Sequence, residues 1–294
     1  MTTSGPVVAL CAASTNEVWF SQAASTEIQY VQFLAPVTYI QGYLGSFAAL
    51  SMTCDAQRVV MAGTDSNMAG WVFPFATGSV WGGTDAFFAP TYRDNDTTAF
   101  LTVFTAGTET WVGRAQGFGS AALLGSTDGG WSADASVQFA GVDRYESGWG
   151  QTNGNFWVAT SSAGQNFALR HFDRGTWTNF TAPAPGDLNA VTGTPSGEVW
   201  AVGQSGLVLR VVGNAAPVRL DAGAGLGWYG VYAASATDVF LAGGDATHGR
   251  VARWNGTGFD LTPVGTSALQ SIHGTSATDV WAGDSTGGLW HLSP

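Results

Sequence analysis

The sequence predicts an all-β fold: a seven-bladed β-propeller of four-stranded antiparallel blades, in a single domain over residues 1–294. Three observations carry the prediction. The chain repeats at a period near 42 residues, which is 294 residues divided among seven units; a fixed period of about 40 in a strand-rich chain marks a propeller. Each repeat breaks into short alternating runs bounded by Gly, Asn, Asp, Ser and Pro. No long segment shows the 3.6-residue period of an amphipathic helix.

The clearest copies are Thr194-Pro195-Ser196-Gly197-Glu198-Val199-Trp200, Ala234-Ser235-Ala236-Thr237-Asp238-Val239-Phe240 and Thr275-Ser276-Ala277-Thr278-Asp279-Val280-Trp281. The first copy is Ala13-Ser14-Thr15-Asn16-Glu17-Val18-Trp19. Aligned on the second strand, the units anchor at Val18, Val59, Leu101, Trp157, Val199, Val239 and Val280. The gaps run from 40 to 42 residues, except for one of 56 between the third and fourth anchors. That excess places an insertion at about residues 117–154. In the fifth unit the strands read Leu188–Thr192, Glu198–Val202, Leu207–Val211 and Pro217–Leu220. The sixth follows with Tyr229–Ala233, Asp238–Ala242, Arg250–Trp254 and Gly258–Thr262. The seventh shows three strands. Either a very short N-terminal strand completes it or it stays three-stranded.

Composition excludes several functions. The formal net charge is −11 and all ten basic residues are Arg, so the clustered cations that bind nucleic acid are lacking. Anionic membrane surfaces are disfavoured for the same reason. No apolar run reaches the roughly 18 residues of a membrane-spanning helix. The start, Met1-Thr2-Thr3-Ser4-Gly5-Pro6, has no basic region and no apolar stretch, so no signal peptide is visible. Two cysteines, Cys11 and Cys54, are too few for a disulfide framework. They fall in adjacent units, where a bridge is feasible, but the expectation is two buried or half-buried thiols.

Acids and amides opening the second strand recur opposite a polar or basic residue of the third. Symmetry about the intervening turns matches Glu17 with Gln32, Asn155 with Arg170, Asp238 with Arg253, Glu198 with Arg210 and Asp279 with His291. Directly opposed side chains on one sheet face interact by roughly 0.2–1 kcal/mol. These residues therefore read as structural and not catalytic.

The string Ser-Ala-Thr-Asp-Val-Trp-Ala-Gly at Ser276–Gly283, with Arg-Trp-Asn-Gly-Thr-Gly-Phe at Arg253–Phe259, resembles propeller repeats of secreted or surface-associated bacterial proteins. That resemblance implies a similar location. Arg58-Val59-Val60-Met61-Ala62-Gly63-Thr64-Asp65-Ser66-Asn67-Met68, echoed at Ala106–Trp111, resembles the blade hairpin of seven-bladed bacterial propeller lectins. This second resemblance implies sugar pockets between blades, lined by aromatics and small polar groups.

The four histidines show no metal-ligand spacing, and no nucleophile elbow or phosphate loop is present. Hydrolase or lyase chemistry has no constellation behind it. Asp94 and Asp96 have a D-x-D spacing suited to Ca²⁺; no other cofactor is implied. Of the thirteen tryptophans, most hold strand-two or strand-three positions and read as blade packing. Trp131 and Trp149 fall in the insertion with Asp143 and Tyr145, and Trp228 precedes Tyr229. Tyr232 and His273 share a first-strand position that borders the central channel. Unassigned aromatics beside polar groups suit a sugar, whose apolar C–H face an aromatic ring covers; the competing reading is loop anchoring. The expected function is a non-enzymatic, carbohydrate-binding, lectin-like module with a glycan ligand. The alternative is a protein-interaction propeller in a surface or multi-component assembly.

Overall fold

Alternating apolar and polar residues between turn formers give 27 strands and no helix among the described residues. The computed structural model describes residues 5–23, 27–32, 38–43, 48–55, 58–65, 69–76, 92–93, 99–114, 123–127, 130–132, 142, 144–162, 165–181, 187–213 and 215–292. The first antiparallel sheet is β1 (Val7–Ser14), β2 (Glu17–Gln22), β3 (Glu27–Gln32) and β4 (Thr38–Tyr43). The second is β5 (Ala48–Cys54), β6 (Arg58–Thr64), β7 (Gly70–Ala76) and β8 (Tyr92–Arg93). Next come β9 (Phe100–Ala106), β10 (Glu109–Arg114), β11 (Leu123–Thr127) and β12 (Gly130–Ser132), followed by β13 (Arg144–Thr152), β14 (Asn155–Ser162), β15 (Gln165–Asp173) and β16 (Thr176–Thr181). These two meanders join into one eight-stranded sheet through a single parallel pairing, Gly150 with Ala106.

The fifth meander is β17 (Leu188–Gly193), β18 (Val199–Gly203), β19 (Leu207–Val211) and β20 (Val218–Asp221). The sixth is β21 (Gly227–Ser235), β22 (Asp238–Gly244), β23 (Gly249–Trp254) and β24 (Phe259–Pro263). The last, β25 (Leu269–Ser276), β26 (Asp279–Asp284) and β27 (Leu289–Leu292), has three strands among the described residues. Every meander runs first to last in chain order.

Successive first strands pack side by side, and β25 packs back against β1. Side-chain to backbone hydrogen bonds tie neighbours together. The Val103 amide donates to Ser51 Oγ (3.0 Å) and the Val191 amide to Ser147 Oγ (3.1 Å). Asn189 Nδ2 donates to the Trp228 carbonyl (2.8 Å), and Ser271 Oγ to the Val7 carbonyl (3.1 Å). Between sheets lie dense apolar clusters, such as Trp200, Trp228, Val239 and Trp254.

One register expectation is corrected. Leu101 lies on a first strand, β9; the matching second strand is β10, with Glu109-Thr110-Trp111 as its counterpart of Glu17-Val18-Trp19. An apolar run such as Phe100–Val103 reads alike in either place, whereas an acid two residues before Trp is specific to the second strand. The excess length therefore falls on both sides of the third meander and is not confined to 117–154. Strands β11 and β12 occupy part of that segment.

In the first sheet Glu17 lies directly opposite Gln32, as turn symmetry suggests; where the third strand carries a base, the acid keeps its expected partner but not the expected register. Directly opposite the strand-three base sits the aromatic two residues further on: Trp200 faces Arg210, Phe240 faces Arg253 and Trp281 faces His291. The base stacks on that ring and reaches diagonally to the acid. Arg210 lies 5.4 Å from the Trp200 ring centre and its Nη2 is 2.9 Å from Glu198. His291 stacks on Trp281 at 4.1 Å and contacts Asp279 at 3.0 Å. Arg253 meets Asp238 at 2.6 Å. A two-residue offset preserves the sheet face, so these pairs survive it. The Asn155–Arg170 expectation fails, because its offset is odd. His171 stacks on Trp157 and meets Asn155 at 3.0 Å, while Arg170 turns to the other face and donates to Thr160 Oγ1 at 2.9 Å. The tryptophan indoles of three units donate back to the acid: Trp19 to Glu17, Trp111 to Glu109 and Trp281 to Asp279.

Glu198 and Arg210 are partly exposed, which limits the worth of their ion pair. Glu198→Gln is expected to cost about 0.2–1 kcal/mol in urea denaturation; a loss beyond about 2 kcal/mol would contradict a purely local pair.

The expectation of two free thiols is wrong: Cys11 and Cys54 form a disulfide, with Cα atoms 6.0 Å apart. The side-by-side packing of β1 and β5 brings the Cα atoms into the bridging range of 4.4–6.8 Å. That spacing arises between sheets, where sequence pattern carries no distance information.

Candidate functional site

Every first strand carries a β-bulge near its start. Pairing with the second strand skips Val8, Leu50, Leu101, Glu146, Asn189, Tyr229 and Gln270, one in each meander. A bulge inserts one residue and re-aims its side chain. All seven are half-buried, and all seven border one central cavity of about 260 Å³ lined by the first strands. The bulge also explains glycines at the end of the second strand. A Cβ on Gly63, Gly203 or Gly243 would overlap the backbone oxygen of Ala48, Asp187 or Gly227.

The ring is chemically divided. Val8, Leu50 and Leu101 form an apolar arc from three successive meanders; Glu146, Asn189, Tyr229 and Gln270 form a polar arc from the other four. Glu146 is the one acidic side chain lining the cavity among the described residues. Arg144 Nε lies 3.2 Å from its Oε1, and Ser161 Oγ donates to the same oxygen at 2.8 Å. Tyr229 also borders a second, polar depression of about 490 Å³, lined by Gln204, Asp245, Thr266 and Ser285. In that depression the hydroxyl and amide of Thr247 and the amide of His248 hold the Asp245 carboxyl down to about 2.

Three residues deeper, about 10 Å along the strands, lie Tyr232 and His273, with ring centres 5.4 Å apart. Burial pushes the Tyr232 hydroxyl up to about 12, helped by the charge of Asp279. Burial also pushes the His273 imidazole down to about 4. Both are neutral at pH 7. The His273 Nδ1 accepts a hydrogen bond from the Ala12 amide at 3.1 Å. The wall as a whole offers apolar contact, amide and hydroxyl hydrogen bonding, and one carboxylate.

The expected site residues do not gather into one sugar pocket. Tyr145 and Trp228 are fully buried, in separate cores. Trp131 lies half-buried on β12 against the cluster around Val60, Val103 and Val112. Trp149 lies against Gly193 and the cluster around Trp157, while also bordering the cavity. Tyr229, Tyr232 and His273 are half-buried; Tyr229 and His273 line the cavity. Asp143 and the Ca²⁺ candidates Asp94 and Asp96 lie outside the described residues. Sequence reading missed Glu146, Asn189, Gln270 and Leu101. Tyr145 stands out in the sequence as an aromatic of the insertion, but the bulge turns its neighbour Glu146 to the cavity. The signal for a bulge is the recurrent second-strand glycine opposite it.

No protein-family model matches the sequence, and neither does any curated protein sequence. Solved structures do match, and they show the fold to be a β-propeller. YCF48 bound to a D1 peptide is similar over 100% of this chain and 96% of its own, at 12% identity and a TM-score of 0.71. The WD40 propeller domain of Doa1 is similar over 98% of this chain and 92% of its own, at 11% identity and 0.72. A catalytically inactive virginiamycin B lyase from Staphylococcus aureus, with quinupristin, is similar over 100% and 98%, at 13% identity and 0.75.

Proposed function

We propose that the chain is a single seven-bladed propeller acting as a non-enzymatic interaction module, which holds a segment of a partner polypeptide over the channel. The ring of bulge residues carries this reading. Its apolar arc suits an aliphatic or aromatic side chain, and its polar arc suits backbone amides, while Glu146 and the net charge of −11 favour a basic partner. Tyr229 joins the ring to the Asp245 depression, giving a continuous surface for an extended segment. The peptide held by the similar YCF48 structure agrees with this class of ligand. The carbohydrate reading loses support, because Tyr145 and Trp228 are buried in cores and Trp131 packs against one. The Cys11–Cys54 disulfide favours an oxidising compartment.

Peptides selected by display on the immobilised protein test the reading. Leu101→Asp and Tyr229→Ala are expected to weaken the selected peptides about tenfold or more, while Val218→Asp, on an exposed outer strand, leaves them unchanged. Circular dichroism confirms that each variant folds. Folded channel variants that bind normally would overturn the reading, as would a glycan-array signal with no peptide binding.

A further inference from the structure

We propose that Cys11, Cys54 and His273 form a zinc-type metal site when the disulfide is reduced. The two sulfurs and a ring nitrogen all lie within 4.8 Å of one another, and this is the one such cluster of three or more His, Cys, Asp or Glu residues among the described residues. The three residues come from β1, β5 and β25. The packing of β5 and β25 on either side of β1 brings them together. In a tetrahedral zinc site, Zn–S bonds of about 2.3 Å and Zn–N bonds of about 2.0–2.1 Å place ligand atoms about 3.5–3.8 Å apart. Reduction lets the sulfurs separate toward that spacing, and the imidazole is already within reach. Two thiolates and an imidazole form a soft-to-borderline donor set that suits zinc better than magnesium or calcium. Of the three, His273 borders the central cavity.

The chemistry balances as follows. An external dithiol breaks the S–S bond, delivers two electrons and two protons to the sulfurs, and is itself oxidised to a disulfide. The metal ion then displaces the two thiol protons to solvent. Ligation costs the Ala12 hydrogen bond whichever ring nitrogen is used. At Nδ1 the metal takes the lone pair that Ala12 N–H occupies. At Nε2 the ring's remaining proton moves to Nδ1 and faces that same N–H. In return, the metal links β25 to β1 and β5, a connection the disulfide lacks.

Cobalt(II) is the probe, added to protein reduced with a water-soluble phosphine, which becomes its oxide and does not compete as a thiol would. The reduced protein is expected to bind one equivalent, with a thiolate-to-cobalt charge-transfer band and the visible bands of tetrahedral cobalt, and zinc is expected to erase both. Oxidised protein and Cys11→Ser are expected to show neither. His273→Ala is expected to weaken cobalt by about tenfold or more, and to lose the rise in melting temperature that zinc gives the reduced protein. Intrinsic tryptophan fluorescence verifies that each variant is folded. A reduced, folded wild type without the charge-transfer band would overturn the proposal. So would a band and affinity indifferent to His273→Ala.

Discussion

Reduction of the Cys11–Cys54 bond in metal-free buffer is expected to destabilise the protein by roughly 4 kcal/mol. The bridge spans a sequence separation of 43 residues, and closing a loop of that length in the unfolded chain carries about that much conformational entropy. At about 2–4 °C per kcal/mol for a chain of this size, the melting temperature should fall by roughly 10 °C. Cys11→Ser should melt with the reduced wild type and be indifferent to reductant. The bond is also local to β1 and β5, so secondary structure should persist below the new midpoint. A fall under about 1 kcal/mol would contradict the loop-entropy account and mean that the reduced unfolded chain keeps these segments close.

Truncation of Trp200 should be comparably damaging, and its chemistry is separable from its volume. The side chain is fully buried between the fifth and sixth meanders, against Trp228, Val239 and Trp254. Trp200→Ala is expected to cost about 3–5 kcal/mol, from lost burial plus the cavity left behind. Its indole Nε1, however, has no hydrogen-bond partner, while both Arg210 contacts to Glu198 fall on Oε2. Trp200→Phe removes a buried donor that is already unsatisfied, so it should cost no more than about 1–2 kcal/mol. Trp281→Phe is the control. There the indole donates to Asp279, and the substitution leaves a buried carboxylate short of a donor, so it should cost more than Trp200→Phe. Equal costs in urea denaturation would contradict the assignment of the Trp200 N–H as unsatisfied.

The repeat period was legible because each unit buries the same strand-two core: Val18 and Trp19, Val199 and Trp200, Val280 and Trp281. The pairing of Glu198 with Arg210 was legible as a partnership but not as a register. Turn symmetry cannot see that the stacked aromatic displaces the base by two residues. The candidate site was harder. Tyr145, Trp228 and Tyr229 stand out alike in the sequence as aromatics beside polar groups, but composition cannot tell which residue a bulge occupies: the bulges turn Glu146 and Tyr229 to the cavity and leave Tyr145 and Trp228 in the cores. Arg170 failed for the related reason that an odd slip changes the sheet face. The disulfide was not legible at all, since the distance between β1 and β5 is a property of how sheets pack and not of either strand.

Hydrogen–deuterium exchange with and without a display-selected peptide tests most directly the claim that a polypeptide segment sits over the channel. Amide exchange reports local opening, and the ligand should slow it where the first strands carry their bulges. The account predicts added protection in peptides spanning Val7–Leu10, Phe100–Val103, Arg144–Gly148 and Gly227–Val231, and none in the outer strands β20 and β24. Protection confined to those outer strands, with the first strands unchanged, would contradict it.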